Sequence, residues 1–73
     1  MEPDFTVVSY IAYTFLNGTI RPLEVLKSRA GWYIGAKGDS GEPIARDSML
    51  YYPSFYEARA VLTGCSWTQR RTP

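Results

Sequence analysis

Histidine is absent from the 73 residues, and Cys65 is the only cysteine. The first absence removes the commonest general base and the commonest metal ligand. The second removes any two-cysteine device within the chain, whether a disulfide or a zinc clip. What remains for acid–base or covalent chemistry is seven carboxylates, six tyrosines, two lysines and scattered hydroxyls. No metal site, no cofactor and no catalytic centre is expected from this inventory.

Charge of one sign is lacking too. Eight basic and seven acidic residues leave a net +1, whereas duplex nucleic-acid binders concentrate Lys and Arg on one surface. The one local bias is Arg70-Arg71 near the C-terminus, read as a solvated end. Long apolar runs are absent as well. Val7 to Leu16 is interrupted by Ser9 and Thr14 and falls far short of a membrane span. Met1-Glu2-Pro3-Asp4 is acidic, with no apolar segment behind a positive start, so no secretory leader is expected there. A lone cysteine suits a reducing compartment, and a cytoplasmic location is the expectation.

Aromatic residues are what the chain has in abundance. At 8.3 kDa there is room for one domain, burying about 60% of roughly 12,000 Å² of unfolded surface. A chain of this size without staples needs a rich core or a partner. The 15% aromatic content supplies that core, and the excess of tyrosine over phenylalanine suits a wet binding surface.

Residues 5–16 are dense in β-branched and aromatic types, and Phe5, Val7, Ile11, Tyr13 and Phe15 share one strand face. This pattern predicts a strand. A helix is the competing reading, because Val7, Ile11 and Phe15 are also spaced four apart. Asn17-Gly18 predicts a type I′ hairpin turn, with 19–27 as the returning strand, either at a sheet edge or interrupted at Pro22. A short helix beginning near Pro22 and ending at Gly31 is the alternative there. A strand over 32–36, a turn over 37–43 and a fourth strand from Ile44 to Leu50 or Tyr51 complete a second hairpin. Ser54-Phe55-Tyr56-Glu57 matches the capping box and predicts a helix over 55–63, with Gly64 as its left-handed terminator. That helix is too short to stand alone and must dock on the sheet.

The expected fold is therefore α+β: a small, mainly antiparallel sheet of about four strands in two hairpins, with one C-terminal helix on one face. Residues 1–73 form a single domain, with 1–4 and 69–73 expected to fray.

Three features tempt a chemical reading. Gly35, Gly38 and Gly41 match neither the Walker nor the dinucleotide pattern and read as a hairpin turn. Asp39, Glu42 and Asp47 read as solvated turn carboxylates, since so small a domain has little material to wall a cleft. Cys65 lacks the cation or histidine that would activate its thiol and reads as a buried small hydrophobe.

The strongest constellation lies on the expected sheet. If Trp32 and Ile34 face the helix, alternation turns Tyr33 and Lys37 to the other side. Tyr10 and Arg46 join them as a candidate partner-binding face of Tyr10, Tyr33, Lys37 and Arg46. Tyrosine with basic residues suits a protein partner, and it also suits stacked single-stranded bases. The expectation is a non-enzymatic binding protein acting through protein–protein contact. One concrete form is an accessory or inhibitor protein that blocks a larger enzyme, such as a nucleic-acid-processing one. The alternative is a weak single-stranded nucleic-acid binder, and a homodimer is compatible with either.

Overall fold

The computed structural model describes residues 2–73, so the expected fraying at Met1 lies outside the described residues. The elements run α1 (Tyr10–Phe15), β1 (Glu24–Ser28), β2 (Gly31–Lys37), β3 (Pro43–Arg46) and α2 (Phe55–Thr63). Two successive hairpins build one antiparallel sheet in the order β1-β2-β3. The class is α+β as the sequence implies, with three strands rather than four and a second helix in place of the first strand.

The first hairpin turns at Arg29-Ala30, and Gly31 enters β2 at φ +131°. A side chain at Gly31 would be strained by that angle and would press a Cβ to 2.9 Å from the Tyr52 carbonyl oxygen. The second hairpin closes over the predicted turn, where the Gly38 amide donates to the Glu42 carbonyl at 2.8 Å. Register matches Val25 with Ile34, Leu26 with Tyr33, and Ala36 with Ala45.

Opposite residues of an antiparallel pair share a face, so Trp32, Ile34, Ala36, Val25 and Ala45 point one way. Both helices cover that side. Ile11 and Ala12 of α1 join Ala36 and Ala45 in one buried cluster. The Phe55 ring of α2 meets Trp32 edge-on at 5.6 Å, and Ala58 is fully buried. The folded surface of 4760 Å² matches the roughly 4,600 Å² that size scaling expects of a compact monomer.

Three departures from the sequence reading have local physical causes. Residues 5–16 do not form a strand. Asp4 folds the chain back through its carbonyl, which accepts from the Val7 and Val8 amides at 3.0 Å each, and Ser9 then caps α1. Strand propensity describes fit to a half-buried sheet surface, and here tertiary contacts supply a helical seat instead. The helix ends where Asn17 and Gly18 adopt φ values of 56° and 73°. The pair expected in a hairpin turn thus uses its tolerance of positive φ to end a helix.

The return segment departs less. The Ser9 amide donates to the Arg21 carbonyl and the Leu23 amide to the Val7 carbonyl, at 2.9 and 2.8 Å, on either side of the Val8–Pro22 bridge. Pro22 holds the non-hydrogen-bonded position of that bridge, where its missing N–H is not called on, and the pairing stops where α1 begins at Tyr10. The strand then resumes in β1 against a different partner, β2.

The expected fourth strand stops at Arg46. Beyond it the Asp47 and Ser48 amides both donate to the Ile34 carbonyl, at 2.8 and 3.0 Å. The Ser48 side chain takes the place of a backbone acceptor, as short polar residues do when they compete with a ladder. The Ser48 hydroxyl accepts from the Ile34 amide at 3.1 Å and donates to the Leu50 carbonyl at 2.9 Å. The segment rejoins the sheet at a two-way Trp32–Tyr52 bridge. In α2, Ser54 caps as its motif predicts, accepting from the Glu57 amide at 3.1 Å. The left-handed residue at the helix end is Cys65, at φ 52°, rather than Gly64. That turn leaves Cys65 exposed, not buried as expected.

Candidate binding surface

The sheet face opposite the helices carries Tyr33, Lys37 and Arg46, because Arg46 pairs with Gly35 and shares its parity. The chain folds back over part of this face. Tyr52 pairs with Trp32, which turns its neighbour Tyr51 to the Tyr33 side. The Tyr51 ring meets Tyr33 edge-on at 5.8 Å, and the Arg46 guanidinium lies 4.6 Å from the Tyr51 ring centroid. Gly35 makes room beneath: a Cβ there would collide with the Ala45 carbonyl and crowd the Tyr33 ring.

Tyr33 is consequently only 6% exposed. Its expected place on an open face is corrected: one ring of the stack is buried and another, Tyr51, at 40% exposure, forms the surface. Burial pushes the Tyr33 hydroxyl pKa up, reinforced by the neighbouring Tyr51 and opposed by Arg46. Arg46 is fixed as well as stacked. Its Nη1 donates to the Ser48 carbonyl at 3.0 Å and the Met49 carbonyl at 3.3 Å, holding the loop that presents Met49, Leu50 and Tyr51.

Lys37 stands at the far end of the face, with Nζ 3.5 Å from Glu24 Oε1 across the strands. Both groups are partly exposed, so this pair contributes little to stability. Tyr10 is not on this face. It opens α1 on the helical side of the sheet, with Phe5 edge-on at 5.3 Å and the Arg71 guanidinium 5.3 Å from its centroid. Tyr33 and Arg46 come together around Tyr51, Lys37 shares their face at its far end, and Tyr10 lies elsewhere.

The carboxylates divide differently from expectation. Asp39 is solvated and paired with Arg21 Nη1 at 2.8 Å. Asp47 is fully buried, not a turn carboxylate in water. Its Oδ1 accepts from Ser9 Oγ at 2.6 Å, and its Oδ2 from the Ile11 amide at 3.1 Å and Gln69 Nε2 at 2.9 Å. Its backbone carbonyl accepts from the Arg70 amide at 2.6 Å, so Gln69 and Arg70 are tied down rather than frayed. Among the described residues no group of three or more carboxylate or cysteine side chains could hold a metal, and no helix is long and apolar enough to cross a membrane.

Val7, Phe15, Leu16 and Ile20 are exposed, and Met49, Leu50, Tyr51 and Tyr56 are further surface residues that the sequence reading did not single out. The exposures of these last four are 53%, 62%, 40% and 80%. An apolar, β-prone run there reads as a core strand. Only the parity conflict along Ile44, Arg46, Ser48 and Leu50 hints otherwise. The chain matches no protein-family model, no curated protein and no solved structure.

Proposed function

We propose that this protein is a non-enzymatic binding protein that occupies a surface of a larger protein, using the Arg46–Tyr51 stack together with Met49 and Leu50. The observation that carries this reading is the run of three exposed apolar side chains, Met49, Leu50 and Tyr51, beside an arginine held rigid on an aromatic ring. Large exposed apolar groups grouped in this way mark interaction sites, and Tyr, Met and Arg are the types enriched in interface centres. Arg46 and Tyr51 are already ordered by each other and by the loop carbonyls, so little side-chain freedom is left to lose on docking. Such a protein would serve as an accessory factor or inhibitor of an enzyme, nucleic-acid-processing enzymes included. Base stacking on the sheet is less well supported, since Tyr33 has no free ring face to offer.

The test is affinity capture by the immobilised protein, with Leu50→Ser and Tyr51→Ser as variants. Leu50 is exposed, so Leu50→Ser should melt close to the parent protein. Tyr51→Ser, by contrast, uncovers Tyr33 and frees Arg46, and its capture is read at a temperature where its own melt shows it folded. Each variant should weaken capture about tenfold, the scale of an interface hot spot. Tyr33→Ala is the wrong probe, because truncating a buried aromatic costs about 3–5 kcal/mol. Undiminished capture by the double variant would overturn the proposal. A steep loss of capture with salt would point instead to phosphate contacts and the single-strand alternative.

A further inference from the structure

On the helical side of the sheet, away from the surface just described, a cavity of about 500 Å³ opens between the N-terminal segment, the start of α1 and the C-terminal tail. That volume lies in the range of small-molecule sites. Phe5, Tyr10 and Trp67 contribute its aromatic walls, and Glu2 and Arg71 its charges.

The balance of donors and acceptors around it is uneven. Trp67 lines the cavity, yet its Nε1 is shut away from solvent without a hydrogen-bond partner. The indole therefore offers ring surface rather than its N–H. Gln69 Nε2 is engaged by Asp47 and by the Arg70 carbonyl. The Thr6 hydroxyl donates to Asp4 Oδ1 at 2.6 Å. What these residues leave toward a ligand is π surface, the Thr6 and Gln69 oxygens as acceptors, the Cys65 thiol and the Glu2 carboxylate. Arg71 is the exception, and it stands with its guanidinium over the Tyr10 ring face. A cation already rests on one wall.

We propose that this cavity is a binding site for an organic cation of the quaternary ammonium type, with Arg71 as an internal occupant that the ligand displaces. Aromatic faces attract a poorly hydrated cation through their quadrupoles, most strongly where several enclose it and a carboxylate stands nearby. An anion would meet ring faces and acceptors, with only Arg71 in its favour. Arg71 is exposed, so its hold on Tyr10 is weak and reversible.

Choline, its neutral isostere with carbon in place of nitrogen, and pivalate as the anion of similar shape are titrated into the whole protein. The Trp67 indole resonance is followed by NMR. Choline should shift that resonance saturably in the millimolar range, with the neutral isostere and pivalate about tenfold weaker, the scale of a desolvated cation–π contact. Arg71→Ala should tighten choline binding about two- to fivefold, since it frees the Tyr10 face, and Glu2→Gln should weaken it. Both side chains are exposed, so neither change threatens the fold. Equal binding of the neutral isostere would make the cavity merely apolar. Tighter pivalate binding, weaker choline binding by Arg71→Ala, or no binding by any of the three would each overturn the proposal.

Discussion

Two helices of this protein begin with a serine cap, and the caps are built in opposite ways. Ser54 caps α2 locally and in contact with water, accepting only from the Glu57 amide within its own first turn. Ser9 caps α1 in the interior. It accepts from the Ala12 amide at 3.0 Å and donates to Asp47, a residue 38 positions away that also receives the Ile11 amide. The α2 start is written in four consecutive residues. The α1 start is assembled from both ends of the chain, since Gln69 completes the carboxylate's partners. One motif can therefore be a local signal or a tertiary joint, and the residues around the serine do not say which.

The largest effect expected follows from removing the joint. Asp47→Ala leaves Ser9 Oγ and the Ile11 N–H without their acceptor inside the protein, while Gln69 Nε2 keeps the Arg70 carbonyl. Each orphaned buried group costs about 1–3 kcal/mol, so the total approaches the whole stability of a marginal domain, about 5 kcal/mol. Denaturant melts should show little or no folded baseline. A variant that melts like the parent would mean that Asp47 is not what holds α1.

Next comes the direct contrast between the caps. Ser9→Ala removes a buried cap and one partner of a buried carboxylate together, and should cost about 2–3 kcal/mol. Ser54→Ala removes a cap alone and should cost about 1 kcal/mol, or about 4–8 °C of midpoint in a domain of this size. Equal losses at the two sites would erase the distinction between local and tertiary capping. In a double-mutant cycle with Asp47→Asn, Ser9→Ala should be non-additive and Ser54→Ala additive.

The smallest effect expected is alkaline, and it falls on the α2 side of the comparison. Burial raises the hydroxyl pKa of Tyr33, in β2, and of Tyr52, in the segment that leads into α2. The folded protein therefore keeps these protons at a pH where the unfolded chain has begun to lose them. Their contribution is fully present below about pH 10, the ordinary tyrosine value, and is lost as pH rises from there through the raised folded-state values. Thermal midpoints should begin to fall near pH 10. Tyr33→Phe and Tyr52→Phe should each shallow that fall, whereas Ser9→Ala should leave its slope unchanged.

How much of the fold could be read in advance follows the same division. The β2 strand, the turn over 37–43 and α2 are legible because their signals lie within a few residues: alternating apolar types, a cluster of Gly, Asp and Ser, and a capping box. At α1 the local signal is ambiguous. Val7, Ile11 and Phe15 satisfy a period of four while their residue types favour a strand, and the deciding contact comes from Asp47. The binding face was half legible. Strand alternation places Tyr33 and Lys37 together, and sheet register adds Arg46. Alternation is silent on what folds over that face, so it missed Tyr51 covering Tyr33 and the exposure of Met49 and Leu50.

By itself the sequence determined the α+β class, the absence of histidine and of any cysteine pair, and the position and cap of α2. These depend on composition or on neighbours in the chain, whose interactions survive any change of distant context. Tertiary structure alone decided that residues 10–15 are helical, that Asp47 is buried and Cys65 exposed, and which aromatic rings meet water. Each of those depends on a partner more than a dozen residues away or on the path of a connecting loop. A carboxylate or a ring carries no record in its own sequence neighbourhood of what will cover it.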